Sequence, residues 1–188
     1  TTLEESPLDA NELWAGTDDG NVHVTRDGGK TWTKLNANIP NNPEYWVTRV
    51  EASAHYPGTA YVSFNGMRRD DFKAYLYKTT DWGKTWTSIA AGIPDGGVNV
   101  IREDHKNPNL LFVGTELGTF ASIDGGANWT KFMTGMPTIP AYDMVIHPRE
   151  NELVVATHGR GIFIADISPL QGMNAQTLNA GLTLFDIQ

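Results

Sequence analysis

The chain has no cysteine, few cations, no apolar run long enough to cross a bilayer and almost no sustained helical period. Without cysteine there are no disulfide staples and no thiolate metal ligands, and redox surroundings leave no mark on the composition. Lys and Arg number 14 against 22 Asp and Glu, for a net charge of −8. Phosphate backbones and anionic lipid surfaces are bound by clustered cations that this chain lacks, so neither a nucleic-acid partner nor membrane insertion is expected. No charged-then-apolar leader opens the sequence, and its first residue is Thr1 rather than Met, which suggests a mature product or an excerpt of something longer.

What the sequence does have is a repeat. A box reading 25-TRDGGKTWTKL-35 returns as 79-TTDWGKTWTSI-89 and 122-SIDGGANWTKF-132. Its aspartates, Asp27, Asp81 and Asp124, lie 54 and 43 residues apart, and Trp32, Trp86 and Trp129 follow each at an offset of five. Ahead of each box stands a second phrase, 13-LWAGTDDG-20, 61-YVSFNG-66 and 111-LFVGTELG-118, with a fourth copy at 153-LVVATHGRG-161. Ahead of that stands a third, 47-VTRVEASAHYPG-58, 98-VNVIREDHKNPN-109 and 141-AYDMVIHPREN-151, with 1-TTLEESPLDAN-11 as its first instance.

Each unit therefore reads as four short strands, a to d, rich in Val, Ile, Thr and aromatics and broken by Pro, Gly and Asn turns. The fourth unit keeps Asp166 but loses the glycines and Trp of its box. It continues through 171-QGMNAQTLNAG-181, a short helix or loop, into a strand-like 182-LTLFDI-187. The predicted class is all-β, with four-stranded antiparallel propeller blades over about 1–40, 41–95, 96–138 and 139–188. Four blades make either a minimal closed ring or an arc of a larger propeller, such as its C-terminal part; the period and the abrupt start favour the arc.

The three boxes resemble the Asp-box, or bacterial neuraminidase (BNR), repeat, Ser/Thr-x-Asp-x-Gly-x-Thr/Ser-Trp. The first two match throughout, and the third departs at Asn128. That pattern is shared by sialidases, xyloglucanase-type glycosidases, sortilin-type receptors and a photosystem assembly factor. The phrases 13-LWAGTDDGNVHVTRDGGKTW-32 and 155-VATHGRGIF-163 most resemble large secreted bacterial sortilin-like or glycosyl hydrolase repeat proteins, which implies secretion or a periplasmic or cell-surface location. A sialidase is not implied: the Arg-Ile-Pro motif is missing, as is an arginine triad with its tyrosine.

In an antiparallel a-b-c-d blade, the a–b and c–d turns share one face of the disc, and the b–c and d–a loops share the other. The recurring aspartates lie at c–d turns, where an Asp accepts backbone N–H bonds, glycines take positive φ and the Trp plugs the space between sheets. Asp27, Trp32, Asp81, Trp86, Asp124 and Trp129 are thus read as structural. His55, His105 and His147 recur at a–b turns, so they are spread around the ring and cannot converge on a metal; no metal or cofactor is expected. The sequon 128-NWT-130 overlaps the third box and is read as chance.

The opposite face carries Asp18, Asp19, Tyr45, Trp46, Arg68, Arg69, Asp70, Asp71, Glu116, His158 and Arg160. Carboxylates and arginines for polar groups, with aromatics for stacking, suit a protein or carbohydrate ligand. The loop 65-NGMRRDDFK-73 is the longest insertion and the strongest candidate, since insertions on one face of a repeat protein commonly form its binding surface. Two readings follow: a non-catalytic binding or scaffold module, partnered by its ligand and by further blades or itself, or a piece of a glycoside hydrolase using loop-face carboxylates such as Asp18, Asp19, Asp71 or Glu116.

Overall fold

A computed structural model describes residues 1–41, 43–132, 135–174 and 177. Its strands form sheets in strict chain order. Blade 1 holds β1 (Thr2–Ser6), β2 (Asp9–Gly16), β3 (Val22–Thr25) and β4 (Thr33–Lys34). Blade 2 holds β5 (Trp46–Ala52), β6 (Ala60–Asn65), β7 (Tyr75–Thr79) and β8 (Thr87–Ser88), and blade 3 holds β9 (Val98–Glu103), β10 (Leu111–Thr115), β11 (Gly118–Ser122) and β12 (Thr130–Lys131). In blade 4, β13 (Ala141–His147), β14 (Glu152–Thr157) and β15 (Ile162–Asp166) are described, followed by one helical turn, α1 (Ser168–Gln171). The expected last strand, 182–187, lies outside the described residues. All pairings are antiparallel, and the fold is an all-β propeller segment.

Cohesion comes from three apolar seams, one between each pair of successive blades. Trp14, Val22 and Val24 of blade 1 meet Val47, Val50, Val62, Phe64 and Trp86 of blade 2. Tyr61 and Leu76 then meet Ile101, Val113 and Trp129, and Val100 and Phe112 meet Met144, Leu153 and Val155. Alternation along each strand sends successive side chains to opposite seams, so the middle blades bury both faces. β6 and β10 are buried at every residue.

The boxes explain how the outer edge is tied. In each, the carboxylate clasps the residue four positions on: Asp27 Oδ1 accepts from Thr31 N (2.9 Å) and Oδ2 from its hydroxyl (2.6 Å). Asp81 does the same with Thr85. Asp124 does so with Asn128, whose amide Nδ2 donates at 2.8 Å in place of a hydroxyl. A hydroxyl two residues earlier closes the loop by donating to the carboxylate and accepting from the glycine N–H. Gly28, Gly29, Gly125 and Gly126 take positive φ there. In the second box the first of these positions is Trp82, at φ 58°. The strain of a bulky residue in that region is offset by its indole, which donates to Glu12 at 2.7 Å under the Arg26 guanidinium.

Trp86 and Trp129 fill the seams as expected, Trp86 edge-on to Trp14 and Trp129 donating to the carbonyl of Ile89 in the preceding blade. Trp32 departs from this expectation: it is exposed, because the side of blade 1 it faces packs against no described blade. The a–b histidines take separate partners: His55 Nε2 lies 2.7 Å from the Asp104 carbonyl, while His147 Nδ1 accepts from Glu150 N.

Inner strands carry a charged ladder. Arg102 on β9 donates to Glu51 of blade 2 (2.5 Å), to the Met144 carbonyl of blade 4 (2.6 Å) and to Asp143 (3.4 Å); Arg49 also reaches Asp143 (2.5 Å). Burial pushes the Glu51 carboxyl up to about 7, outweighing Arg102.

The box aspartates shift the other way. Hydrogen bonds from Thr31 and Thr25 lower Asp27 to about 2, and Asp81 and Asp124 are lowered too. Their stabilisation is full above the unfolded carboxylate value of about 3.9 and is lost as pH falls through the folded one. In a chemical-denaturation series against pH, replacing all three by Asn therefore flattens the acid limb. Glu51, raised when folded, makes stability fall as pH rises from about 4.5 to about 7, a slope that Glu51→Gln removes. Arg102→Met leaves two acidic groups unpaired and lowers unfolding free energy by about 3 kcal/mol, in part recovered in the Arg102→Met/Glu51→Gln double variant.

Candidate functional site

A cleft of about 540 Å³ opens on the b–c and d–a face. It is lined from blade 2 by Trp46, Thr48 and Arg49 of β5, Asn65 at the end of β6, and Met67 and Arg68 of the following loop. Blade 3 adds Asn99 of β9 and Glu116 of the β10–β11 turn, and blade 4 adds Tyr142 of β13. Every one of these residues lies at the same end of its sheet, so the repeat itself brings them together.

A polar chain crosses from blade 2 to blade 3. Asn65 Nδ2 donates to Asn99 Oδ1 (3.0 Å), and Asn99 Nδ2 donates to Glu116 Oε1 (3.0 Å) and faces the Ala141 carbonyl (3.4 Å). Both asparagines are buried, so their bonds are made in low-dielectric surroundings where orientation is strongly fixed. Glu116 is half-buried at the cleft wall, where Oε1 takes the Asn99 bond. Gly97 secures the array through close approach, since a Cβ there would collide with the Asn65 side-chain amide. The Gly97 carbonyl also accepts the Glu116 N–H at 3.2 Å.

The aromatic walls differ in access. Tyr142 is exposed and meets the His158 ring edge-on at 5.3 Å. Trp46 is half-buried, with the Arg68 guanidinium 5.0 Å above its ring. A flat ligand stacking on that indole face would displace the guanidinium, which would then be free to bond the ligand's edge.

Of the candidates on the loop face, Arg68 and Glu116 line this cleft and His158 adjoins it through Tyr142. The others do not converge there. Asp19 accepts from the Thr17 hydroxyl and from Asn21 Nδ2, ties that lower its pKa and hold the β2–β3 turn; Asp18 is exposed beside it. Asp71 accepts from both Tyr75 (2.7 Å) and Tyr45 (2.9 Å) hydroxyls. The Tyr75 bond is the largest cause of its lowered pKa, so it anchors the long loop as an ionised carboxylate. Arg69 sits over Tyr45, and Asp70, at φ 58°, closes the loop's helical turn. Arg160 is exposed in the β14–β15 turn.

Asn65, Asn99, Thr48 and Tyr142 are inconspicuous in the sequence because they sit on strands whose pattern reads as core. Their one signal is repeat position, flanking the b–c and d–a connections.

No family model matches the chain. Over 92 residues it is 35% identical to a probable oligoxyloglucan-reducing end-specific xyloglucanase of Neosartorya fischeri, a match covering 46% of this chain and 10% of that protein. The chain thus spans about a tenth of the length of the curated relatives it matches. Among solved structures, the GH74 xyloglucanase of Xanthomonas campestris superposes with a TM-score of 0.72 at 13% identity, over 88% of this chain and 29% of that one. YCF48 of Cyanidioschyzon merolae superposes at 0.57 and 21% identity, over 87% and 54%. At these identities the superpositions establish the propeller fold.

If Gly97 sets the array, Gly97→Ala turns Asn65 away from Asn99 and frees Glu116. The amide side-chain resonances of Asn65 and Asn99 then lose their hydrogen-bonded shifts, while the other seams keep their amide-exchange protection.

Proposed function

We propose that this chain is a non-catalytic propeller module that binds a neutral glycan in the loop-face cleft. The observation that carries the reading is the Asn65–Asn99–Glu116 array opening into the same cleft as Trp46 and Tyr142. Sugar rings present apolar C–H faces, which aromatic side chains cover, and equatorial hydroxyls, which oriented amides and carboxylates hold by directional bonds. The similarity to a xyloglucanase supports a β-glucan as the ligand class. With a polysaccharide ligand goes the expectation of a secreted or cell-surface setting.

A hydrolase reading is favoured by that same similarity. Glycoside hydrolysis requires two carboxyl groups, about 5–5.5 Å apart for retention or about 6.5–9.5 Å for inversion. Glu116 is the one carboxylate among the described lining residues. Under this second reading the chain would furnish one wall and one carboxylate, and the partner carboxylate would come from polypeptide beyond these blades.

Titration with soluble xyloglucan and cello-oligosaccharides, together with a reducing-end assay, separates the two. The expected result is saturable binding that Trp46→Ala and Tyr142→Ala each weaken by tenfold or more, with no new reducing ends. Turnover abolished by Glu116→Gln would establish the hydrolase reading instead, and absence of binding at millimolar ligand would remove the glycan altogether.

A further inference from the structure

The pairing registers allow burial to be compared like for like across blades. Leu3, Val50, Ile101 and Met144 occupy one position of the four inner strands, opposite Ala15, Val62, Val113 and Val155. Val50, Ile101 and Met144 are sealed against the preceding blade, whereas Leu3 is 63% exposed. The box tryptophans repeat the contrast: Trp86 and Trp129 are buried and Trp32 is 42% exposed.

The opposite side of blade 4 mirrors this. Ile162 occupies the position of Val22, Leu76 and Thr119, all at 0% exposure, yet is itself 67% exposed. Ile164 occupies that of Val24 and Ala121, both buried, and is 62% exposed. Val145 is exposed beside them. The chain therefore displays the two unlike halves of one kind of seam, a following half on blade 4 and a preceding half on blade 1.

We propose that two copies of this chain associate head to tail, the Val145, Ile162 and Ile164 face of each covering the Leu3 and Trp32 face of the other. The occupant is argued from continuity with the three internal seams: what covers a preceding half, in each of them, is the following half of another blade. Trp32 supplies the specific demand, since its two counterparts are satisfied only by the neighbouring blade, through Trp14 and the Ile89 carbonyl. His23 stands where Tyr77, Phe120 and Phe163 stand, so this seam is less apolar than the internal ones. A head-to-tail contact closes only if its rotation does. Two arcs of four blades give eight, within the range that propellers adopt. The two clefts would then open on the same side of the ring.

Sedimentation velocity of the purified chain across the micromolar range tests this. The expected mass is twice the 20.7 kDa of one chain. Leu3→Asp and Ile164→Asp each give monomers with unchanged far-ultraviolet circular dichroism. Mixing the two restores a dimer, because one of its two seams is then free of substitutions; two like faces meeting would not allow this rescue. Independently of any surface aspartate, tryptophan emission shifts to the blue on concentration, and Trp32→Phe removes the shift. A wild-type chain that stays monomeric overturns the proposal. So does an open series of higher oligomers, a dimer that survives both aspartates, or a mixture that stays monomeric.

Discussion

A four-stranded antiparallel sheet with apolar side chains on both faces cannot stand alone in water, and that constraint organises this molecule. Each blade is a local meander whose hydrogen bonds are complete within about forty residues of chain, yet its side chains are satisfied only between neighbours. Burial of apolar area is the dominant favourable contribution, and here almost all of it lies at the seams rather than within any one sheet. Trp14, Phe64, Phe112 and Met144 matter for what they join.

Two devices hold the stack in angle as well as in contact. At the rim, the clasped aspartates fix the turns that deliver tryptophans into the seams, with geometry repeated down to the atom from Asp27 to Asp81 to Asp124. Near the axis, Arg102 spans three blades by bonding Glu51, Met144 and Asp143. Rim anchors and an axial tie leave the b–c connections as the segments free to vary, and the cleft is built there. Ionised groups in the boxes are committed to backbone geometry, while Glu116 stands at the cleft wall.

Much of this was legible in the residues. The recurrence of Asp27, Asp81 and Asp124 gave strand order, blade number and the division between an inert face and a variable one, because a period constrains every copy at once. Arg68 and Glu116 were legible as site residues because the fold itself makes no use of polar groups in loops on the variable face. Trp46 was visible but ambiguous, since an aromatic at a strand start serves core and site equally well. Asn65 and Asn99 were not legible: a buried amide has meaning only through its partner, and the 34 residues separating them conceal a 3.0 Å contact. Asp19 and Asp71 looked like ligands, but neighbouring hydroxyls already hold them, which composition cannot convey. Trp32 inverted its expectation because exposure depends on what lies beside a blade rather than on the blade's own sequence.

β10 and β11 are joined by Glu116 and Leu117 alone, whereas residues 66–74 separate β6 from β7. Closing a short loop costs less chain entropy than closing a long one, and hairpins of this kind form in about 1–10 µs. Blade 3 is therefore the place where native pairing is established soonest, with both neighbours condensing onto a hairpin that already exists. Its turn residue is also the carboxylate of the cleft. Glu116 answers to two clocks, the microseconds in which the chain finds its fold and the much longer residence of whatever occupies the finished surface, and a change that suits one need not suit the other.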